Sequence, residues 1–568
     1  MSEGTDKVLG AIVCDLERSA IGTRSRLGDA WEGGRTVLEE VVRRLGRAEG
    51  IGEVALVDIG GAGGRLDRIA ATADVPCAVR VFAGDRRGKG ADERVRIGRA
   101  WNLLSWRGGA GQWTVFDEEY HAGAIAGAMA AAFEGKGADH VFLAHSHGVL
   151  LDSGMAGKLI DHHLHKNRQT PFSYTPAAPG LCGILFPAEP VRKMAEHQML
   201  PHQWLEYNPQ APTFDTLIRD ACMQVDPALS KIPNRFCVDT QRSVQICKEA
   251  AGRNWGSVAE MCIAAGRGVA PGMGDLARVF EWPREVEIEL TGERLTEPAG
   301  AVPVEICAGR GALDAGPWVK WFERQGDLRG ACDDLLVTFG GDGDPLLFGK
   351  GGGLAEVFRA ARAAGVLSIC VQTDLAGGDV DGLLAAVGEG LVDVVSVMFY
   401  GFTAGTYAKV AGGVGADVHG TVIQNMGRLA EVTRGRGGVP LVIPRLLKVR
   451  ETIGEMEAFF DFWVERCGWA VIDGPTDRAG AVPFAGVVDM APPRRKACRR
   501  LWNRMNIRAD GRLAACDQDV HGKLVQGHIE DMGIRDMWGH LQNLRSVHAA
   551  EAWGGLDPCL ACREWHRA

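Results

Sequence analysis

Short apolar runs alternate with segments of helical period along most of this chain. Val8 to Cys14 is a continuous apolar stretch and predicts a buried strand. Leu38, Val41, Val42 and Leu45 recur at i, i+3, i+4 and i+7, so 36–45 is expected to be helical. Val54 to Ile59, Val79 to Phe82 and His140 to Ala144 predict further strands, and 119–133 and 154–165 predict helices. This βαβα order implies a parallel or mostly parallel sheet over residues 1–255.

A stretch rich in Gly and Pro, 256–283, predicts a linker. A second βα series follows over 284–490. Its strands are expected at Val286 to Leu290, Leu335 to Phe339, Val366 to Gln372, Val392 to Tyr400, Val439 to Ile443 and Trp469 to Ile472. Helices are expected between them at 354–364, 381–387, 419–434 and 455–467. Six strands with helical crossovers suit a partial barrel better than a closed eight-fold one. From 491 to 568 the pattern changes. Met505 to Ile507, a turn at Asp510-Gly511, and Leu513 to Cys516 predict a hairpin. Ile534, Met537, Trp538, Leu541 and Leu544 predict one helical face. The fold class is therefore α/β, with two large units and a small α+β module at the end.

Composition narrows the function classes. Net charge is −9, so no excess of positive charge favours nucleic acid or an anionic membrane. The start, MSEGTDKVLG, has neither a basic region nor an apolar run, and no stretch approaches the roughly 20 apolar residues of a membrane span. A cytoplasmic location without membrane insertion is expected. Fifteen cysteines are many for such a protein, because disulfides are rare in the cytosol. Eleven stand apart and read as small buried hydrophobes. The last four differ: Cys498 precedes the hairpin, Cys516 ends it, and Cys559-Leu-Ala-Cys562 is a CxxC. Four soft thiolates suit zinc or an iron–sulfur cluster, and spacing leaves both open.

The segments Pro493 to Cys498, Met505 to Gly511, Cys516-Asp-Gln-Asp519, Gly527-His-Ile, Ile534 to Trp538 and Cys559 to Trp565 resemble the SPASM domain, the C-terminal iron–sulfur module of many radical S-adenosylmethionine (SAM) enzymes. The resemblance implies that Cys498, Cys516, Cys559 and Cys562 ligate a [4Fe–4S] cluster. Residues 284–476 resemble the radical SAM partial barrel. Phe339-Gly-Gly-Asp-Gly-Asp-Pro345 looks like the turn that holds the SAM amino group, which would place SAM at Gly340, Gly341 and Asp342. That family needs three cysteines, usually CxxxCxxC, after the first barrel strand. Here the loop reads Thr-Gly-Glu-Arg-Leu-Thr-Glu-Pro over 291–298, and Cys307 stands alone. The chain is expected to lack the cluster that cleaves SAM.

Residues 8–255 resemble, more faintly, the nucleotidyltransferase-like GT-A fold of sugar cytidylyltransferases, through Ala11-Ile-Val13, Arg18 to Arg24 and Arg235 to Thr240. Where that family has a magnesium-binding Asp, this chain has His145-Ser-His147. Imidazole is a poor magnesium ligand, which argues against nucleotidyl transfer. A zinc or iron site from His145, His147, His162, His163 and His165 is a bolder alternative. Three functions follow: an iron–sulfur protein with one C-terminal cluster and a redox partner; a radical SAM enzyme with unusual ligands that include Cys307; and a sugar nucleotidyltransferase with regulatory C-terminal domains. The fusion points, by association only, to surface glycan metabolism. The substrate is not specified.

Overall fold

The structure, a computed structural model, describes residues 6–84, 89–102, 121–197, 221–230, 235–257, 260, 281–349, 353–412, 414–415, 417–498, 500–522 and 524–566. Most of the expected linker, 261–280, lies outside the described residues, as do 119 and 120 of the expected Ala-rich helix. The chain divides into two compact units, 1–89 with 112–266, and 90–111 with 267–568. The second takes in all but the first residue of the helix Lys89–Asn102, whose Trp101 Nε1 donates to Ser368 Oγ at 2.8 Å.

The first unit is built on β1 (Val8–Cys14), β2 (Ile51–Asp58), β3 (Ala78–Ala83), β4 (His140–Ala144) and β5 (Ile184–Pro187), in the order β3-β2-β1-β4-β5. All pairs are parallel except β4 with β5. Every residue of β1 and β4 is buried, which explains why both read as continuous apolar runs. The helix Val37–Leu45 turns Leu38, Val41, Val42 and Leu45 inward. It begins with a capping box: Glu39 N–H donates to Thr36 Oγ1 at 3.3 Å, and Thr36 N–H donates to Glu39 Oε2 at 2.6 Å.

The second unit holds the six expected barrel strands: β6 (Glu285–Ile288), β7 (Leu336–Phe339), β8 (Ser368–Thr373), β9 (Val394–Phe399), β10 (Leu441–Leu447) and β11 (Val471–Asp473). They are parallel and pair in chain order. The sheet does not end at β6. β12 (Arg504–Ile507) pairs parallel with β6, and β13 (Leu513–Ala514) closes the hairpin antiparallel to β12, giving eight strands. One apolar core joins barrel and module, with Val286, Ile288 and Phe339 in the same cluster as Met505, Ile507, Ile534 and Trp538. The single helix expected through Ile534 to Leu544 is two, Ile534–His540 and Gln542–Ala549. Arg545 Nη2 donates to the Trp538 carbonyl at 3.0 Å, satisfying a C-terminal carbonyl of the first.

Candidate functional site

The four C-terminal cysteines lie on three segments. Cys498 lies just before the helix Arg500–Asn503, Cys516 just beyond β13, and Cys559 and Cys562 flank one 3₁₀ turn, Cys559–Ala561. Cys498 and Cys516 are buried; the CxxC pair is half-buried. Burial pushes Cys559 and Cys562 each up to about 12, and Cys498 adds to both. Cys516 is pushed well above its ordinary value by burial, then by Asp517, Cys498 and Cys562. Among the described residues, however, no three His, Cys, Asp or Glu side chains stand close enough to hold a single metal ion.

Around the thiols runs a buried polar frame. Arg500 bonds Asp517, and its Nη2 lies 3.3 Å from Glu564 Oε2. Glu564 N–H donates to Cys562 Sγ at 3.3 Å. The Arg500 guanidinium acts to lower Cys498, Cys516 and Cys562. A shell of four thiols with a neighbouring cation and an N–H···S bond fits a thiolate-bound centre, which needs its ligands deprotonated. Sequence reasoning missed Arg500, Asp517 and Glu564. Their signal was position: each stands one or two residues after a cysteine of the set.

The frame opens onto a cavity of about 240 Å³ at the C-terminal ends of the barrel strands. Glu287, Gly341, Asp342, Gln372, Tyr400 and Arg445 line it from the barrel, and Arg500, Asp517, Gln518 and Glu564 from the module. Gly340, Gly341 and Asp342 follow β7. The Asp342 carboxylate is already surrounded by cations. Arg310 Nη1 and Arg508 Nη1 donate to Oδ2 at 3.0 and 3.2 Å. Arg478 Nη2 lies 2.8 Å from Oδ1, off the direction of a hydrogen bond. Burial pushes this carboxyl up, but the three guanidiniums outweigh it and hold Asp342 below its ordinary value. The glycines serve close packing. A Cβ on Gly343 would meet the Thr291 carbonyl oxygen at 2.0 Å, and one on Gly341, where φ is +112°, would meet Glu289 Cβ at 3.0 Å.

The loop after β6 is locked down by its own side chains. Thr296 Oγ1 donates to Asp374 Oδ2 at 2.6 Å and lies 3.3 Å from Tyr400 Oη. Arg294 Nη1 donates to the Asp342 carbonyl at 3.3 Å. Cys307 is a fully buried thiol that burial pushes up to about 11.

In the first unit, strand order reverses beside β1, and the crevice between β1 and β4 is where open α/β sheets bind ligands. His145, Ser146 and His147 end β4 there. His147 Nε2 accepts from the Arg26 N–H at 3.3 Å, so its Nδ1–H donates to Ser146 Oγ at 3.0 Å. Arg235 Nη1 contacts both oxygens of the fully buried Asp239 at 2.8 and 2.7 Å, and Nη2 lies 3.3 Å from His145 Nε2. Burial pushes Asp239 up, but Arg235 and the two imidazoles leave it below its ordinary value. The five histidines do not gather. His162 bonds Asn167 at 2.6 Å, His163 bonds Ser173 at 2.8 Å, and His165 lies 3.5 Å from Asp161. The expectation of a shared zinc or iron site is corrected accordingly: among the described residues these side chains form no ligand set.

Burial lowers His147 and His163 from 6.5 to about 4 each. Both are neutral in the fold, so between pH 6.5 and 4 the unfolded chain binds more protons. Their contribution is complete above pH 6.5 and lost as pH falls toward 4. Denaturant melts of the full chain are expected to show the first unit weakening over that window, with a shallower pH slope in His163→Gln.

Comparison with known proteins decides the C-terminal module. Residues 498–563 match the SPASM iron–sulfur cluster-binding domain. All four cysteines fall within that match. An uncharacterized protein of Treponema pallidum (strain Nichols) is 28% identical over 123 residues, 22% of this chain and 34% of that protein. The match thus spans about a third of its relative. Among solved structures, SuiB of Streptococcus suis aligns at 11% identity over 53% of this chain and 77% of its own, with a TM-score of 0.39. A cytidylyltransferase from Leptospira borgpetersenii serovar Hardjo-bovis (strain JB197) aligns at 11% identity over 48% and 96%, with a TM-score of 0.29.

Proposed function

We propose that this chain is an iron–sulfur protein of the radical SAM/SPASM type, with one [4Fe–4S] cluster held by Cys498, Cys516, Cys559 and Cys562 and a barrel that does not cleave SAM. The carrying observation is the set of four thiols, two buried and two half-buried, within a SPASM match. A bound cluster would supply a one-electron redox centre beside the barrel cavity. An iron–sulfur cluster is favoured over zinc because the four thiols fall within a match to an iron–sulfur cluster-binding domain.

Two observations support an inactive barrel. The loop that would carry three cysteines has none over 291–298, and Thr296 and Arg294 tie it to the strand ends. The carboxylate that would receive the SAM ammonium, Asp342, is held by three arginines. The chain's own residues therefore orient and enclose: Arg500 holds Asp517 and Glu564 behind the thiols, and the barrel offers a polar cavity. In the first unit, His145 and His147 are tied to Arg235 and Arg26, which favours a scaffold over a magnesium-dependent transferase.

Iron, zinc and acid-labile sulfide on anaerobically purified full-length protein test this. About four irons and four sulfides per chain are expected, with no reductive SAM cleavage under dithionite. About eight irons with cleavage would restore radical chemistry to the barrel. Zinc without sulfide would overturn the cluster.

A further inference from the structure

Four neighbouring barrel strands turn polar side chains onto one face. Gln372 stands on β8, Ser396 on β9, Arg445 on β10 and Asp473 on β11. The register sets Gln372 opposite Ser396, Met398 opposite Arg445, and Leu447 opposite Asp473. Residues two apart in a strand share a face, so all six lie on the same side of the sheet. All but Ser396 line the cavity at the strand ends, and Ser396 Oγ lies 3.4 Å from Arg445 Nη1. Every residue of β8 and β9 is buried except Gln372 and Met398, so the cavity reaches into the strand layer at those two positions. Polar groups on an inner face are costly unless they meet a partner. Two of these meet none inside the protein. The Gln372 amide makes no side-chain hydrogen bond among the described residues, and Asp473 bonds Arg445 through Oδ2 while its Oδ1 has no partner among them.

The charges on the lining are already answered. Arg445 pairs with Asp473, and Arg500 bonds Asp517 and lies 3.3 Å from Glu564. Arg478 lies 2.8 Å from Asp342 and 3.6 Å from Asp517. Glu287 accepts from the Asn506 amide at 2.7 Å. Arg294 donates to two carbonyls, that of Asp342 at 3.3 Å and that of Val302. An ion entering the cavity must draw a partner out of a pair already made, and a buried charge left behind is costly. What the lining still offers is hydrogen bonding without charge, beside the apolar surface of Met398 and Leu447. The volume, about 240 Å³, falls below the roughly 300–1,000 Å³ of drug-sized sites, so the ligand it fits is compact. The lining reaches the protein surface at Pro298, which is exposed.

We propose that this cavity binds a compact, uncharged polyhydroxyl ligand of monosaccharide size, read by the Gln372 amide and Asp473 Oδ1. It names what a barrel that does not cleave SAM holds, and so rests on that reading. A hydroxyl both donates and accepts, so one ligand bonds Asp473 Oδ1 and the Gln372 amide and disturbs no ion pair. Met398 and Leu447 meet its C–H surface. The test uses full-length protein whose iron has been counted, with D-glucose and myo-inositol as neutral probes and D-glucosamine and D-glucuronate as charged ones. Saturation-transfer NMR is expected to show both neutral probes bound with a Kd of about 1 mM. Their binding should be unchanged between about 50 and 500 mM salt, and the charged probes should bind about tenfold more weakly or less. Gln372→Leu should weaken neutral binding about fivefold or more. Met398→Trp, which fills the cavity, should abolish it, with iron content and melting unchanged in both variants. Tighter binding of either charged probe, binding of neither neutral probe, or binding that ignores both substitutions would overturn the proposal. Cleavage of SAM under dithionite defeats the reading of the barrel; no sugar binding in a protein that leaves SAM intact defeats this inference alone.

Discussion

Replacing Cys516 with alanine is expected to drop iron from about four per chain to below one, while both sheets stay folded. Cys516 is a buried thiol, pressed by Asp517, Cys498 and Cys562. Three remaining thiols leave an iron of the cluster without a protein ligand. The local core around Cys498, Leu501, Ala515, Leu544 and Trp565 is small, and modules of this size lean on their metal. In small metal-folded domains the metal contributes on the order of 10 kcal/mol, so the C-terminal helices should lose protection in hydrogen exchange. The large sheet is held by the core of Val286, Phe339 and their neighbours, which also takes in Ile534 and Trp538, and should keep most of its protection. Cys370→Ala is the matched control, because Cys370 is a buried thiol within β8. Iron that survives Cys516→Ala but falls in Cys370→Ala would remove the four-cysteine set from consideration.

The elements that read most clearly were those whose burial is uniform. β1 and β4 are buried along their whole length and appear in the sequence as apolar runs. The four cysteines were legible because thiols in this pattern have few other uses. The surroundings of the site were not, since they depend on pairs far apart in the chain. Glu285, Glu287 and Glu289 alternate with apolar residues, a pattern that does not say what the polar face meets. In the fold all three are buried: Glu285 meets Arg504, Glu287 meets Asn506, and Glu289 meets Arg310 and Arg508. The first two pairs span 219 positions. Likewise the Gly-rich turn at 340–343 looked like a place for a ligand, yet Gly343 serves the close approach of the Thr291 carbonyl. Backbone against backbone leaves no trace in a sequence beyond the glycine itself.

Those long-range pairs carry the other large expectation. Arg504→Ala should destabilise the second unit by about 3–5 kcal/mol, the cost of leaving a buried charge without its partner. The Arg504 and Glu285 side chains are 1% and 2% exposed, and Arg504 Nε donates to Glu285 Oε2 at 2.7 Å. Glu285 Oε1 accepts from Thr338 Oγ1 at 2.6 Å, too little to replace a guanidinium. The pair sits at the seam where β12 joins β6, with Arg504 opposite Glu285 in register. Urea melts followed by tryptophan fluorescence should show the loss. The double variant Glu285→Met with Arg504→Met should recover most of it, since apolar groups of similar size remove both desolvation penalties. A loss below about 1 kcal/mol in Arg504→Ala would mean that water reaches the seam. The same strand leads through Ile507 into the hairpin that ends at Cys516, so loosening the seam should also speed iron loss to a chelator. Iron retention that tracks the melts across Arg504→Ala and the double variant would tie the barrel edge to the thiol site; retention unchanged in Arg504→Ala would show the module holding its metal without that edge.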